Sequence, residues 1–188
     1  MDLPWKSHES NSFVTNVGLI TSRNEGRDNI MSAEWTHHIS YSPGIIAVSI
    51  SKDNNTTAKN IAKTKVFGVS IVAEDQNVIA SKAGDYEGYL VDKISALRDL
   101  GFSFIRGKET GVYLVEGSVL QLECKLVNII DSGSHNLFIG EVVSAKLVDK
   151  KPLIMHGGKF WRFGEQIHKS AQNELDRINQ IFDKYKLN

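Results

Sequence analysis

The alternation of apolar and polar positions divides the first half of the chain into extended segments separated by turn-forming clusters. Residues 13–22 (Phe-Val-Thr-Asn-Val-Gly-Leu-Ile-Thr-Ser) are rich in β-branched side chains and predict a strand. Asn24-Glu25-Gly26-Arg27-Asp28 then supplies turn chemistry. A second strand is predicted over residues 29–38. On it Asn29, Met31, Ala33 and Trp35 share one face, and Ile30, Ser32, Glu34 and Thr36 take the other. Ser42-Pro43-Gly44 interrupts the pattern, and the nearly continuous apolar run of residues 45–51 predicts a central strand. Ala58, Ile61 and Ala62 recur at helical spacing, which predicts a helix over 58–65 capped by Asn55, Thr56 or Thr57. A strand follows over 66–72, then a short helix over 74–83. A further helix carries Leu90, Val91, Ile94 and Leu97 and ends near Gly101.

Two short strands are predicted at 102–105 and 112–114, and two long ones at 117–130 and 135–147, joined by the hairpin signal Asp131-Ser132-Gly133-Ser134. Residues 153–163 contain a tight turn at Gly157-Gly158. Beyond Gly164, Ile167, Ala171, Leu175, Ile178, Ile181 and Tyr185 follow helical spacing with charged residues between them. They predict an amphipathic terminal helix packed on the barrel or on a partner. Eight to ten strands, mostly consecutive, with three or four helices describe a mainly β chain: an antiparallel barrel with helical insertions rather than alternating βαβ units. The expected division is a barrel domain over 1–164 and a helical extension over 165–188.

Composition narrows the function classes. Twenty-two basic residues balance twenty-two acidic ones, so no net field favours nucleic acid or an anionic membrane surface. There is no apolar run of spanning length and no leader-like start, and the single cysteine, Cys124, can form no internal disulfide. The expected compartment is the reducing cytosol. Cys124 lies in a strand-like run and reads as a small packed side chain rather than a nucleophile. No dinucleotide-binding glycine fingerprint, P-loop, metal-ligand spacing or nucleophile elbow is present. His37 and His38 are adjacent, so on a strand they point apart and cannot chelate together.

The remaining candidates are polar groups in structured places. Ser49, Ser51, Thr56 and Thr57 set four hydroxyls near a helix start, where free N–H groups and Lys52 or Lys59 can hold a phosphate; ordinary capping explains them equally well. An amide, a thioether, a methyl and an indole on the Asn29–Trp35 face can receive a flat, heteroatom-rich ring, or simply form a half-buried strand. His135 opens a hairpin strand, and His156 precedes Gly157-Gly158-Lys159-Phe160, where glycines permit close backbone approach.

The order of these elements carries more than any one of them. Asn29-x-Met31-Ser32-Ala33-x-Trp35 is followed by Ala47-Val48-Ser49-Ile50-Ser51 with Thr56-Thr57, then Phe67-Gly68-Val69-Ser70-Ile71 and Asp92-Lys93. His135-Asn136-Leu137-Phe138-Ile139-Gly140-Glu141-Val142 and His156-Gly157-Gly158-Lys159-Phe160 complete the series. From about Phe13 to Gly164 the chain resembles the flavin reductase-like family of FMN-binding split barrels, which includes flavoredoxins and archaeal flavin or ferric reductases. The resemblance implies a homodimer of six-stranded, antiparallel, Greek-key-like split barrels with FMN held non-covalently near the dimer interface. Carried over by position, Asn29, Met31, Ser32, Ala33 and Trp35 are expected at the isoalloxazine ring. Ser49, Ser51, Thr56 and Thr57 are expected at the ribityl phosphate, with Lys93 adding charge. His135 and His156 are expected on the flavin or nicotinamide side. Glu34, His37 and the terminal helix depart from the family pattern. Hydride transfer from NADH or NADPH to flavin needs no protein acid or base, so no catalytic residue is assigned, and His135 is the one candidate for the place. Electrons would pass on to free flavin, a ferric chelate or a redox partner protein. The alternatives are an FMN-binding electron-transfer protein without NAD(P)H activity, a related barrel for deazaflavin or haem, and a structural barrel with an empty pocket.

Overall fold

The computed structural model describes residues 1–53, 55–168 and 170–186. Its centre is a seven-stranded antiparallel sheet in the order β3 (Asn29–Ala33), β2 (Gly18–Ser22), β6 (Val66–Ile71), β9 (Leu120–Ser132), β10 (His135–Leu147), β5 (Gly44–Ser51) and β4 (Thr36–Tyr41). The outermost strands, β3 and β4, are consecutive in the chain with only Glu34 and Trp35 between them. Three peptide steps span about 11 Å at most, so the two sheet edges must lie side by side and the sheet curls into a closed barrel. The single strand expected over 29–38 is therefore two: its first half pairs with β2, its second with β5. Counted as one interrupted strand, β3 and β4 give a barrel of six. Gly18 of β2 lies so close to Thr36 of β4 that a Cβ there would overlap the threonine side chain, which shows how tightly the seam shuts.

Inside the barrel Ile20, Met31, Ala33, Val48, Ile50, Phe67, Val69, Leu122, Cys124 and Phe138 pack as one cluster, with Ile61 of α1 (Thr56–Thr64) plugging it. Gly140 is required opposite Phe67, since a Cβ there would enter the phenyl ring. Burial pushes the Cys124 thiol up to about 12, so it stays protonated and serves as packing, as its strand position predicts. A second core lies outside the barrel wall. There Leu19 and Ile30 meet Ile79, Ala80 and Ala83 of α2 (Asn77–Asp85) and Ile94 and Leu97 of α3 (Lys93–Asp99).

The strand expected over 13–22 also divides, because the chain changes sheets at Val17. β1 (Val14–Asn16) joins β11 (Ile154–His156) and β12 (Lys159–Trp161) in a separate three-stranded sheet, while β2 enters the barrel. These divisions raise the strand count to twelve among the described residues, above the eight to ten expected. β7 (Phe104–Arg106) and β8 (Tyr113–Val115) form a two-stranded ribbon. The helix expected from Leu90 begins only at Lys93, because Asp92 caps it by accepting from the Ser95 N–H at 3.1 Å. The terminal helix α4 (Gln172–Asp183) is shorter than its apolar spacing suggested and buries none of its residues in this chain. No helix among the described residues is long and apolar enough to cross a membrane.

Candidate functional site

α1 starts where the sequence placed a cap. The Asn55 side chain accepts from the Ala58 N–H at 3.1 Å, and no acidic residue stands in the first turn to neutralise its positive end. That end faces a cavity of about 80 Å³ beside β3, lined by Asn29, Met31 and Ser32, by Asn55, Thr56 and Thr57, and by the loop joining α2 to α3. Asn29 is almost fully buried and donates through Nδ2 to Thr57 Oγ1 at 2.8 Å. Gly88 sits directly over the Asn29 amide, where any Cβ would collide with it. Gly84 takes the Ser32 side chain in ordinary contact at 3.4 Å from where its Cβ would be.

Lys93 closes the cavity. It is 5% exposed and donates from Nζ to the Ala83 carbonyl at 2.9 Å. An ammonium carries three donors, and among the described residues no carboxylate forms an ion pair with this one; Glu87 acts on it only through space. Burial brings its pKa down to about 8. Asp92, the neighbouring cap, is held below the usual carboxylate range by the Ser95 N–H and hydroxyl it accepts from. A small polar cavity with a helix N-terminus, two threonines, a buried amide and an incompletely paired ammonium suits a phosphate.

A second group gathers at the other end of the interrupted strand. Trp35 follows the β3 break and so leaves the Asn29–Met31–Ala33 face; it lies 45% exposed with its ring centroid 4.9 Å from that of His135. Its carbonyl accepts from the Ser49 N–H at 2.9 Å. Ser51 lies opposite His135 in the β5–β10 register, and Ser49 opposite Leu137, so both serines share the outer barrel face with His135. The Ser51 hydroxyl is paired locally with Asp53. Glu34, at the break itself, is half-buried and its pKa is raised by that burial.

Of the twelve residues singled out from the sequence, Asn29, Met31, Ser32, Thr56, Thr57 and Lys93 therefore line one cavity. Trp35, Ser49, Ser51 and His135 form the adjoining outer group, and Ala33 is buried in the barrel between them. His156 stands apart on the three-stranded sheet, with Nδ1 3.3 Å from the Phe13 carbonyl and its ring beside Trp161. Lys52 is taken by Asp131 at 2.6 Å, on the barrel exterior. Sequence reasoning passed over Asn55 as a lining residue and missed Gly84, Tyr86, Glu87 and Gly88. The signal for the last four was two glycines four apart around an aromatic, at the end of a helix.

A closed antiparallel barrel of this order, with its helices against one edge, is the split-barrel fold of flavin reductases. The family described as flavin reductase like domain matches residues 10–164, and the chain belongs to that family. Among solved structures it resembles an FMN-binding protein from Thermus thermophilus with bound p-hydroxybenzaldehyde, at a TM-score of 0.78 and 26% identity over 90% of this chain and 96% of that one. It also resembles the NADH:FAD oxidoreductase SgcE6 of Streptomyces globisporus C-1027 in complex with NAD and FAD fragments, with a TM-score of 0.75, 25% identity, and coverage of 83% and 89%. A ferric-chelate reductase (NAD(P)H) of Archaeoglobus fulgidus is 30% identical over 132 residues, 69% of this chain and 74% of that protein. Against one further curated relative, 28% identical over 131 residues, the chain spans 49% of the length.

Proposed function

We propose that the protein binds FMN non-covalently and is an NAD(P)H-dependent flavin or ferric oxidoreductase. The observation that carries the reading is the polar cavity, in which the positive end of α1, capped by the neutral Asn55 side chain alone, and the buried Lys93 ammonium converge with no carboxylate bonded to either among the described residues. The flavin phosphate fits there, held by Thr56, Thr57 and Lys93. The ring then lies along Met31, Ser32 and Ala33 towards Trp35 and His135. Asn29, fixed by Thr57, sets the ribityl chain between the two, and Ser49 and Ser51 flank the ring's approach.

When bound, the flavin supplies the redox chemistry: it takes a hydride from the nicotinamide and yields electrons to a second acceptor. The protein's share is orientation, water exclusion and electrostatics. The apolar barrel interior behind Met31 and Ala33 keeps water from one side of the ring. Backbone N–H groups along the β3–β4 break are suited to the negative charge that reduction brings. Trp35, just before β4, and Ile39 and Tyr41 within it are large apolar side chains left exposed in the single chain. A second copy laid on this surface completes the ring site, so we infer a homodimer. The electron acceptor is free flavin, a ferric chelate or a partner enzyme.

Steady-state oxidation of NADH and NADPH with added FMN, and with a ferric chelate, tests the reading. Turnover dependent on both donor and acceptor is expected. FMN binding with no turnover by either nicotinamide overturns the reductase assignment and leaves an FMN-binding electron-transfer protein.

A further inference from the structure

Lys93 stands between two cavities of opposite character, and the flavin reading uses one of them. The smaller, of about 80 Å³, is polar and holds the positive end of α1. The larger measures about 410 Å³, and Val91, Ala96, Leu97 and Leu100 give it an aliphatic wall. It opens outward past Ala96, Asp99 and Leu100, which are exposed. Lys93 and Tyr86 line both cavities, so the two share a wall. Lys82, the other amine on the larger cavity, is taken by Asp85 at 2.8 Å. Nζ of Lys93 donates to the Ala83 carbonyl at 2.9 Å, its one hydrogen-bond partner among the described residues.

Burial disfavours the ammonium of Lys93 and so favours the neutral amine, which is the nucleophilic form; Glu87 opposes this through space. With its pKa brought down to about 8, about a tenth of Lys93 is neutral near pH 7, against well under a thousandth of an ordinary lysine. A molecule that bridges the two cavities carries a phosphate at one end, an apolar chain at the other and an electrophilic carbon between them. An acyl phosphate is built in that way. We propose that Lys93 is a site of acylation by small acyl phosphates, with the phosphate at the start of α1 beside Thr56 and Thr57 and the acyl chain in the aliphatic cavity.

In the step, Nζ attacks the acyl carbon. The N–C bond forms as the C–O bond to phosphate breaks, and the amine proton leaves on the departing hydrogenphosphate. The positive end of α1 takes up the charge of that leaving group. The product is a neutral amide. Acylation therefore removes the charge that holds a phosphate at this place and switches the cavity off. This inference rests on the phosphate placed beside α1 in the flavin reading and adds a means of regulation to it.

The test incubates the purified protein with acetyl phosphate or butyryl phosphate at neutral pH and follows each lysine by peptide mass spectrometry. Lys93 should be acylated at least about tenfold faster than the exposed Lys63. That ratio should rise about fivefold from acetyl to butyryl phosphate, because two further methylenes enter the aliphatic cavity. Excess inorganic phosphate or FMN should slow acylation at Lys93 and leave Lys63 unaffected. The acylated protein should bind FMN about tenfold more weakly and riboflavin as before. In Lys93→Arg, whose guanidinium keeps its charge and is not acylated, the reagent should no longer change FMN affinity.

Acylation of Lys93 no faster than that of Lys63, or a rate that phosphate leaves unmoved, overturns the proposal. Equal selectivity for the two acyl phosphates also overturns it, since the chain then has no place in the larger cavity. Failure of the untreated protein to bind FMN, with selective and phosphate-sensitive acylation of Lys93 retained, overturns the flavin reading alone.

Discussion

The two ends of the interrupted strand present opposite kinds of surface. At Asn29 the chain is enclosed: the amide is 4% exposed, Gly88 lies against it, and Thr57 and Lys93 are buried around it. At Trp35, six residues later, the indole is 45% exposed and its described ring neighbour is His135. Enclosed polar groups are costly unless they are matched. The Asn29 end is thus prepaid, holding an amide and an ammonium in place before any ligand arrives. The Trp35 end is left unfinished, which is tolerable because an exposed aromatic costs little. On the proposed reading, a single chain preorganises the phosphate half of its site and leaves the ring half for a partner surface to cover.

The sharpest way to break this contrast is Gly88→Val. The new side chain must displace the Asn29 amide from Thr57, and about 100-fold weaker FMN binding is expected, roughly 3 kcal/mol. Far-ultraviolet circular dichroism should show the barrel intact; an unchanged FMN affinity would mean that Asn29 does not hold the ligand. Next in size is Lys93→Met. Loss of a charge-assisted bond to the phosphate lowers FMN affinity by about 10- to 100-fold, whereas riboflavin, which lacks the phosphate, should bind as before. Removing the buried charge should also leave the apoprotein no less stable in urea.

The same lysine sets a pH signature. Its pKa falls from the ordinary 10.5 to about 8 on folding, so between those values the unfolded chain holds a proton that the folded chain has released. This group therefore makes the apoprotein more stable as pH climbs from about 8 to 10.5. A bound phosphate favours the protonated amine, and FMN affinity should decline through the same interval. Lys82, Asp85, Tyr86, Glu87 and Asp99 are the other titratable groups around the two cavities. Lys93→Met should flatten both dependences, and a slope surviving in that variant would assign them elsewhere. The smallest effect belongs to the open end. Trp35→Ala should weaken FMN and riboflavin alike by about fivefold, near 1 kcal/mol, and shift stability by less than about 0.5 kcal/mol.

Much of this was legible in the sequence because it followed from short-range pattern. The Asn55 cap, the β9–β10 hairpin and the turn at Gly157-Gly158 are set by neighbours along the chain, and they formed where expected. The breaks at Val17 and at Glu34-Trp35 were not, because each is a change of pairing partner. Phe13 to Ser22 remains β-branched across its break, and only the closure of the barrel decides that one half turns to β11 and the other to β3 and β6. The same limit explains the site. Asn29, Thr57 and Lys93 could be named one by one, but their convergence depends on α1 and the α2–α3 loop folding over the same sheet edge. Ser49 and Ser51, grouped in sequence with Thr56 and Thr57, lie instead on the outer barrel face, because strand alternation turns them away from the interior that Val48 and Ile50 occupy.

The most direct test of the account is equilibrium binding of FMN to the purified protein, read by flavin fluorescence with riboflavin as the phosphate-free control. Saturation at about one FMN per chain, with riboflavin at least tenfold weaker, is the predicted result. Failure to bind either flavin, or equal affinity for both, would contradict an anion-binding cavity built from α1 and Lys93 as the anchor of the site.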